Sequence, residues 1–192
     1  MLSLINIHSL IPSSVVNGPG KRMVIFFQGC TIGCSGCFNP DTHSLESKKL
    51  LSCDDIFSNY FEEGTEGITV SGGEPFLQVE GLFSLLKSAK TEYGLSTVVY
   101  SGFSLKDLEA REGLRDIFKF VDVLIDGPFD ESKKETTTLA RGSSNQNIHF
   151  LSDTYKMDDF FMPGKVEITI GRDGLITGTG FDGLSGLQGN SI

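Results

Sequence analysis

Residues 28–41 read QGCTIGCSGCFNPD. Cys30, Cys34 and Cys37 stand in a C-x3-C-x2-C spacing with small residues between them. Thiolates so spaced converge on one face of a tight loop and match three corners of a cubane iron–sulfur cluster. Such clusters usually take four thiolates, so three leave one iron without a protein ligand. An open coordination position is where a substrate binds, by the logic that separates catalytic from structural zinc sites. Two other readings stay open on the loop alone: a zinc site completed by His43, and a set of reduced structural thiols.

Working outward, the loop follows Met23–Phe27, MVIFF, an apolar run bounded by turns, as a buried parallel strand should be. Upstream, residues 1–16 alternate loosely, with Pro12 as a break, and read as an edge strand or hairpin. VVNGPG at 15–20 reads as a turn. Downstream, GITV (67–70), residues 96–100 and VDVLI (121–125) are further short apolar runs. Between them lie helical patterns, from a Ser52/Asp55 capping box to about Glu63, from about Phe76 to Lys90, and after a Ser104/Asp107 capping box. The repeated order of strand, polar or glycine-rich loop and helix predicts parallel strands. Sites at several strand ends predict an α/β barrel or partial barrel with one functional rim. Residues 166–170 and 175–177 flank Arg172-Asp173-Gly174 and predict a C-terminal hairpin. The whole reads as one domain over 1–181, with the hairpin at 164–181 and a Gly/Ser-rich tail at 182–192.

The strand-end loops carry the other candidate site residues. Ser71-Gly72-Gly73-Glu74-Pro75 has two glycines that let a backbone approach a ligand closely, and Glu74 offers a carboxylate to an ammonium group. A plain helix-start turn also accounts for it. Asp126 ends an apolar strand, where a carboxylate suits a ribose hydroxyl or simply a turn. Arg141 opens RGSSNQ (141–146) and is suited to a carboxylate, or to a polar turn.

With C-x3-C-x2-C and SGGEP on one chain, the sequence resembles the radical S-adenosylmethionine (SAM) enzymes. VNGPGKR, GC-x3-C-x2-CFNP, SGGEPF, YSGF, DVLIDGPF and RGSSNQ, spanning about Val15 to Leu151, narrow the resemblance to the activating proteins of anaerobic ribonucleoside-triphosphate reductase, which are glycyl-radical-enzyme activases. The resemblance implies a partial (βα) TIM-like barrel and one [4Fe-4S] cluster on Cys30, Cys34 and Cys37. It implies an oxidoreductase that cleaves SAM reductively and takes a hydrogen from one glycine of a large reductase, leaving a glycyl radical. By position, Gly36, Cys37 and Phe38 would meet the adenine, and Gly72, Gly73 and Glu74 the amino-acid end. Ser101, Asp126, Gly127, Pro128 and Phe129 would line the ribose side, with Arg141 near the carboxylate. No side chain serves as a catalytic acid or base. The implied partners are the large glycyl-radical subunit and a flavodoxin- or ferredoxin-type electron donor. Gly36 replaces the aromatic residue that many radical SAM enzymes carry before the third cysteine, which leaves stacking to Phe38. Two rivals remain: a small radical SAM enzyme acting on a peptide or metabolite, and a non-enzymatic metal-binding regulator.

Composition bounds the rest. The 192 residues carry a formal charge of −9, which argues against a broad nucleic-acid or anionic-membrane surface. No apolar run is long enough to span a bilayer, and residues 1–10 lack the pattern of a signal peptide, which points to the cytoplasm. Three of four cysteines in one short loop do not make a secreted disulfide framework. The fourth, Cys53, sits at a helix start and reads as an ordinary structural thiol.

Overall fold

The run around MVIFF becomes β2 (Arg22–Phe27), with every residue buried. The computed structural model describes residues 3–137, 139–162, 166–170 and 176–180. β1 (Ile5–Ser14) and β3 (Lys49–Leu51) lie to one side of β2. To the other side lie β4 (Gly67–Gly72), β5 (Ser96–Ser101), β6 (Val123–Asp126) and β7 (Asn147–Phe150). The sheet order is β3-β1-β2-β4-β5-β6-β7. β2, β4, β5 and β6 are parallel, with chain neighbours also neighbours in space. β1, β3 and β7 pair antiparallel. The expected α/β class with parallel strands is therefore present. Among the described residues β3 and β7 are the two edges of this sheet.

The first segment departs from the expected edge strand or hairpin. It is one ten-residue strand, second from the edge because β3 covers its outer side. Pro12 cannot donate to a ladder, and it falls where the β1–β2 register shifts between Ile11 and Ser14.

Period-two alternation sends the strands' side chains to opposite faces. On one face Ile25, Ile68, Val70, Val99 and Leu124 pack against Ile56 and Phe57 of α1 (Cys53–Tyr60) and against Leu82, Leu85 and Leu86 of α2 (Val79–Thr91). On the other face Val98, Val123 and Ile125 are covered by Ala140, Phe160 and Met162. α1 starts on the expected capping box, since Asp55 N–H donates to Ser52 Oγ and Ser52 N–H to Asp55 Oδ2. It stops at Tyr60, short of Glu63, where Phe61 turns to extended backbone and meets Tyr93. The helix expected from Phe76 is interrupted. A 3-10 turn over Pro75–Leu77 is separated from α2 by Gln78, which is non-helical at φ −117°, ψ 56°. The Gln78 amide explains the break: it accepts from Asn6 N–H at 2.7 Å and donates to Asn6 O and Gln28 O, tying α2 to β1 and to the end of β2. α3 (Leu105–Glu109) is capped by Ser104, as expected.

Where the parallel strands begin, the fully buried Arg22 guanidinium lies across them with no carboxylate in contact among the described residues. It donates to Thr69 Oγ1 (2.8 Å), Pro19 O (2.9 Å), Ser96 Oγ (3.1 Å), Tyr155 Oη (3.0 Å), Ile68 O (2.6 Å) and Ser96 O (3.2 Å). Burial pushes its pKa down, but a guanidinium stays charged in proteins. The C-terminal hairpin is present as β8 (Val166–Ile170) antiparallel to β9 (Ile176–Gly180). It meets the body through Val15 N–H to Glu167 Oε1 (2.8 Å) and Asn17 Nδ2 to Thr179 Oγ1 (3.0 Å). The predicted turn at 172–174, Leu175 and the tail from 182 lie outside the described residues.

Arg22→Met leaves three carbonyls and three hydroxyls without this donor, at about 1–3 kcal/mol for each buried group left unpaired. It is expected to lower the unfolding free energy by about 3 kcal/mol or more, whereas Tyr155→Phe loses about 1 kcal/mol. Urea unfolding of the apoprotein measures both, and equal small losses would refute the role given to Arg22.

Candidate iron–sulfur site

The carboxyl ends of β2, β4, β5 and β6 share one rim, the usual place for sites in parallel sheets. The β4 loop is fastened to the start of the cysteine loop: Gly73 N–H donates to Phe27 O and Glu74 N–H to Gly29 O, both at 2.8 Å. This approach explains the two glycines. A Cβ on Gly72 (φ +96°) would lie 2.7 Å from Phe27 backbone atoms, and one on Gly73 2.3 Å from Gly29 O. The glycine pair is thus demanded by backbone packing whether or not a ligand is bound. Glu74 then bridges β4 to β5. Its buried carboxylate accepts from Phe76 N–H (2.9 Å), Gly102 N–H (2.8 Å) and Ser101 Oγ (3.0 Å). Burial pushes its pKa up, and these donors oppose the shift.

The cysteine loop is held at its base by Gly29 N–H to Thr42 O (2.7 Å) and Cys30 N–H to His43 O (3.2 Å). Gly33 and Gly36 turn the chain between the thiols at φ +64° and +69°. Burial pushes the Cys37 thiol up, the Asn39 N–H to its sulfur opposes this, and Cys34 and Cys30 stand near enough to add to it. All three cysteines are free and half-buried, and all three line one cavity of about 390 Å³.

Of the other expected site residues, Phe38, Gly72, Gly73, Glu74, Ser101, Gly127, Phe129 and Arg141 line this cavity. Gly36, Asp126 and Pro128 do not. Gly36 backs onto Glu131, whose Oε2 would lie 2.5 Å from an added Cβ. Asp126 is turned to a structural task, accepting from Leu105 N–H (2.5 Å) at the start of α3 and from Asn147 Nδ2 (2.9 Å), with His149 Nε2 at 3.0 Å. Burial resists its charge, but those donors prevail and hold its pKa down. Pro128 is exposed, its carbonyl accepting from Asn145. Arg141 pairs with Glu135 and donates to Gln146 O (2.7 Å). Burial disfavours the Glu135 charge, yet hydrogen bonds from Thr137 and Arg141 bring its pKa to about 2. Phe38 and Phe129 meet at 4.6 Å between ring centroids, with Lys134 over the Phe38 ring at 5.6 Å, forming a lip beside Cys37.

The sequence reading missed the lining between these loops. Phe26, Thr69 and Tyr100 face the cavity, and the strand alternation was a usable signal for them. Asn17, read only as a turn residue, sits on the cavity wall and accepts from Thr69 Oγ1 through its carbonyl at 2.7 Å. Gly178, Thr179 and Gly180 of β9 complete the wall.

The donor set bears on which metal group it fits. Among the described residues, no three His, Cys, Asp or Glu side chains converge to hold a single ion. Zinc needs its ligands about 2.0–2.3 Å from one point. Three thiols lining one cavity on a loop turned by glycines suit a group with several metal corners. Among the described residues, no helix is long and apolar enough to cross a membrane.

Residues 16–149 match the family described as "4Fe-4S single cluster domain". The chain is 33% identical over 148 residues to the anaerobic ribonucleoside-triphosphate reductase-activating protein of Haemophilus influenzae, covering 72% of this chain and 93% of that one. To the protein of the same name from Escherichia coli it is 32% identical over 154 residues, covering 76% and 99%. To the pyruvate formate-lyase-activating enzyme of Clostridium pasteurianum it is 37% identical over 126 residues, covering 62% and 50%.

Gly73→Ala is expected to push the cysteine loop off the β4 loop and to cut iron and sulfide loading at least about tenfold, while far-UV circular dichroism stays near wild type. Burial, with Asp54 and Glu92 nearby, pushes the Cys53 thiol up to about 11 although it begins a helix. Its iodoacetamide labelling should keep rising about tenfold per pH unit to pH 10, where an ordinary thiol of pKa about 8.5 has levelled off. Peptide mass spectrometry reads this directly.

Proposed function

Since the chain belongs to the 4Fe-4S single cluster family, among the activating proteins of anaerobic ribonucleoside-triphosphate reductase, we propose that it installs a glycyl radical on the large subunit of such a reductase. One observation carries this reading: Cys30, Cys34 and Cys37 share a single cavity with the Gly72-Gly73-Glu74 loop. In this proposal the three thiolates hold a [4Fe-4S] cluster, and the open sheet is the partial barrel of a radical SAM enzyme. When bound, cluster and SAM supply the radical chemistry, with the electron coming from a flavodoxin- or ferredoxin-type donor.

The protein's own part is placement and dryness. Gly72 and Gly73 offer backbone to the amino-acid end of SAM. Glu74 acts as a positioning residue here, because its carboxylate already accepts from Phe76, Gly102 and Ser101. The Phe38–Phe129 pair offers an apolar face to the adenine. Asp126 serves the ribose side by fixing the start of α3 and β7 behind the rim, through Leu105 and Asn147, rather than by contact. Arg141, held by Glu135 and Gln146 O, presents a fixed cation to the carboxylate. No side chain is required as an acid or base.

The anaerobically reconstituted protein, reduced and given SAM, is expected to release deoxyadenosine and raise a glycyl-radical signal in electron paramagnetic resonance of a co-encoded large reductase. Cys34→Ser should abolish both, a loss of more than about 100-fold. Turnover on a small molecule with no glycyl signal would favour the metabolite or peptide enzyme instead, and zinc bound without sulfide would favour the regulator.

A further inference from the structure

Buried polar atoms are normally paired, so those left unpaired ask for an explanation. Among the described residues four buried side-chain atoms have neither a hydrogen-bond nor an ion-pair partner: Ser9 Oγ, His43 Nε2, Thr65 Oγ1 and Asn145 Oδ1. Only His43 belongs to the wall of the cavity that holds the three cysteines. Its backbone is fixed there on both sides. His43 N–H donates to Pro40 O (3.1 Å) at the end of a 3-10 turn over Pro40–Thr42, and His43 O accepts the Cys30 N–H (3.2 Å). The imidazole is thus built into the base of the cysteine loop, with one ring nitrogen shut off from water and offered no protein acceptor.

Resting on the cluster reading above, we infer that His43, as the Nε2–H tautomer, donates a hydrogen bond to a sulfur of the cluster or of its thiolate ligands. The chemistry of the acceptor supports this. Thiolate and sulfide sulfurs gain electron density when the cluster is reduced, and an N–H directed at them favours the reduced state and raises the potential. His43 is therefore a positioning and tuning residue rather than a ligand. The same orphan nitrogen is the one a mononuclear zinc site would have recruited, yet no three ligating groups converge on one ion among the described residues.

The test uses the anaerobically reconstituted holoprotein. Labelled with 15N-histidine and reduced without SAM, it is expected to show a weak nitrogen coupling to the cluster in pulsed electron paramagnetic resonance, together with a proton coupling lost in D2O. His43→Phe removes both. At a fixed applied potential its reduced-to-oxidised ratio falls about threefold to tenfold, tenfold being about 59 mV for a one-electron couple. His43→Gln, which keeps a donor, recovers part of that shift. Should His43→Phe fail to load a cluster, the labelled wild type and His43→Gln still decide the matter. Three results overturn the inference: a strong coupling, which means an iron–imidazole bond; a coupling seen only after SAM is added; or an unchanged potential in a fully loaded His43→Phe. A chain that binds no iron and sulfide overturns the cluster reading along with it. A loaded cluster that cleaves SAM but ignores His43 overturns this inference alone.

Discussion

Two backbone hydrogen bonds, Gly73 N–H to Phe27 O and Glu74 N–H to Gly29 O, hold together everything on the rim of this sheet. They join the tip of β4 to the first residues of the cysteine loop at a distance that excludes any Cβ. From Glu74 the chain of contacts passes to Ser101 and Gly102 at the tip of β5. From Asp126 at the tip of β6 it passes to the start of α3. Neighbouring loops are therefore clamped pairwise by carboxylates and N–H groups. At Asp126 the hydrogen bonds outweigh the lost solvation, and at Glu74 they oppose it without overcoming it.

Much of this was legible in the sequence, because the signals were local. The apolar runs became β2, β4, β5 and β6, the box at Ser52 capped α1, and Ser104 capped α3 through its side chain without the reciprocal bond of a box. The cysteine spacing and SGGEP did fall on one cavity. What escaped notice was set by tertiary partners. Gln78 breaks a helical pattern because two backbone groups of Asn6 in β1 and the Gln28 carbonyl just after β2 claim its amide. Residues 5–14 run as one inner strand because β3, only three residues long, pairs with their far edge. Asp126 looked like a ligand-facing carboxylate, but its distance in sequence from Leu105 and Asn147 hid the fact that both claim it. Gly36 lies beside a cavity it does not line, a distinction of side-chain direction that spacing cannot carry.

The glycine pair shows how a motif can be right for more than one reason. Read from sequence, Gly72 and Gly73 are there to admit a ligand. In the structure they are already required by the Phe27–Gly29 backbone. Loss of either glycine would therefore disturb the cysteine loop before any effect on ligand contact was felt.

β9 bears on how such a chain can change. The family match ends at residue 149, and the four parallel strand tips are complete by Phe129. Yet Gly178, Thr179 and Gly180 stand on the cavity wall, anchored at Asn17. The late segment is thus a removable panel on a finished frame. Lengthening or rewriting it alters the shape of the chamber while leaving the thiol-bearing loop and its clamps untouched, so molecules of this design can diverge in what they admit without renegotiating how they hold metal.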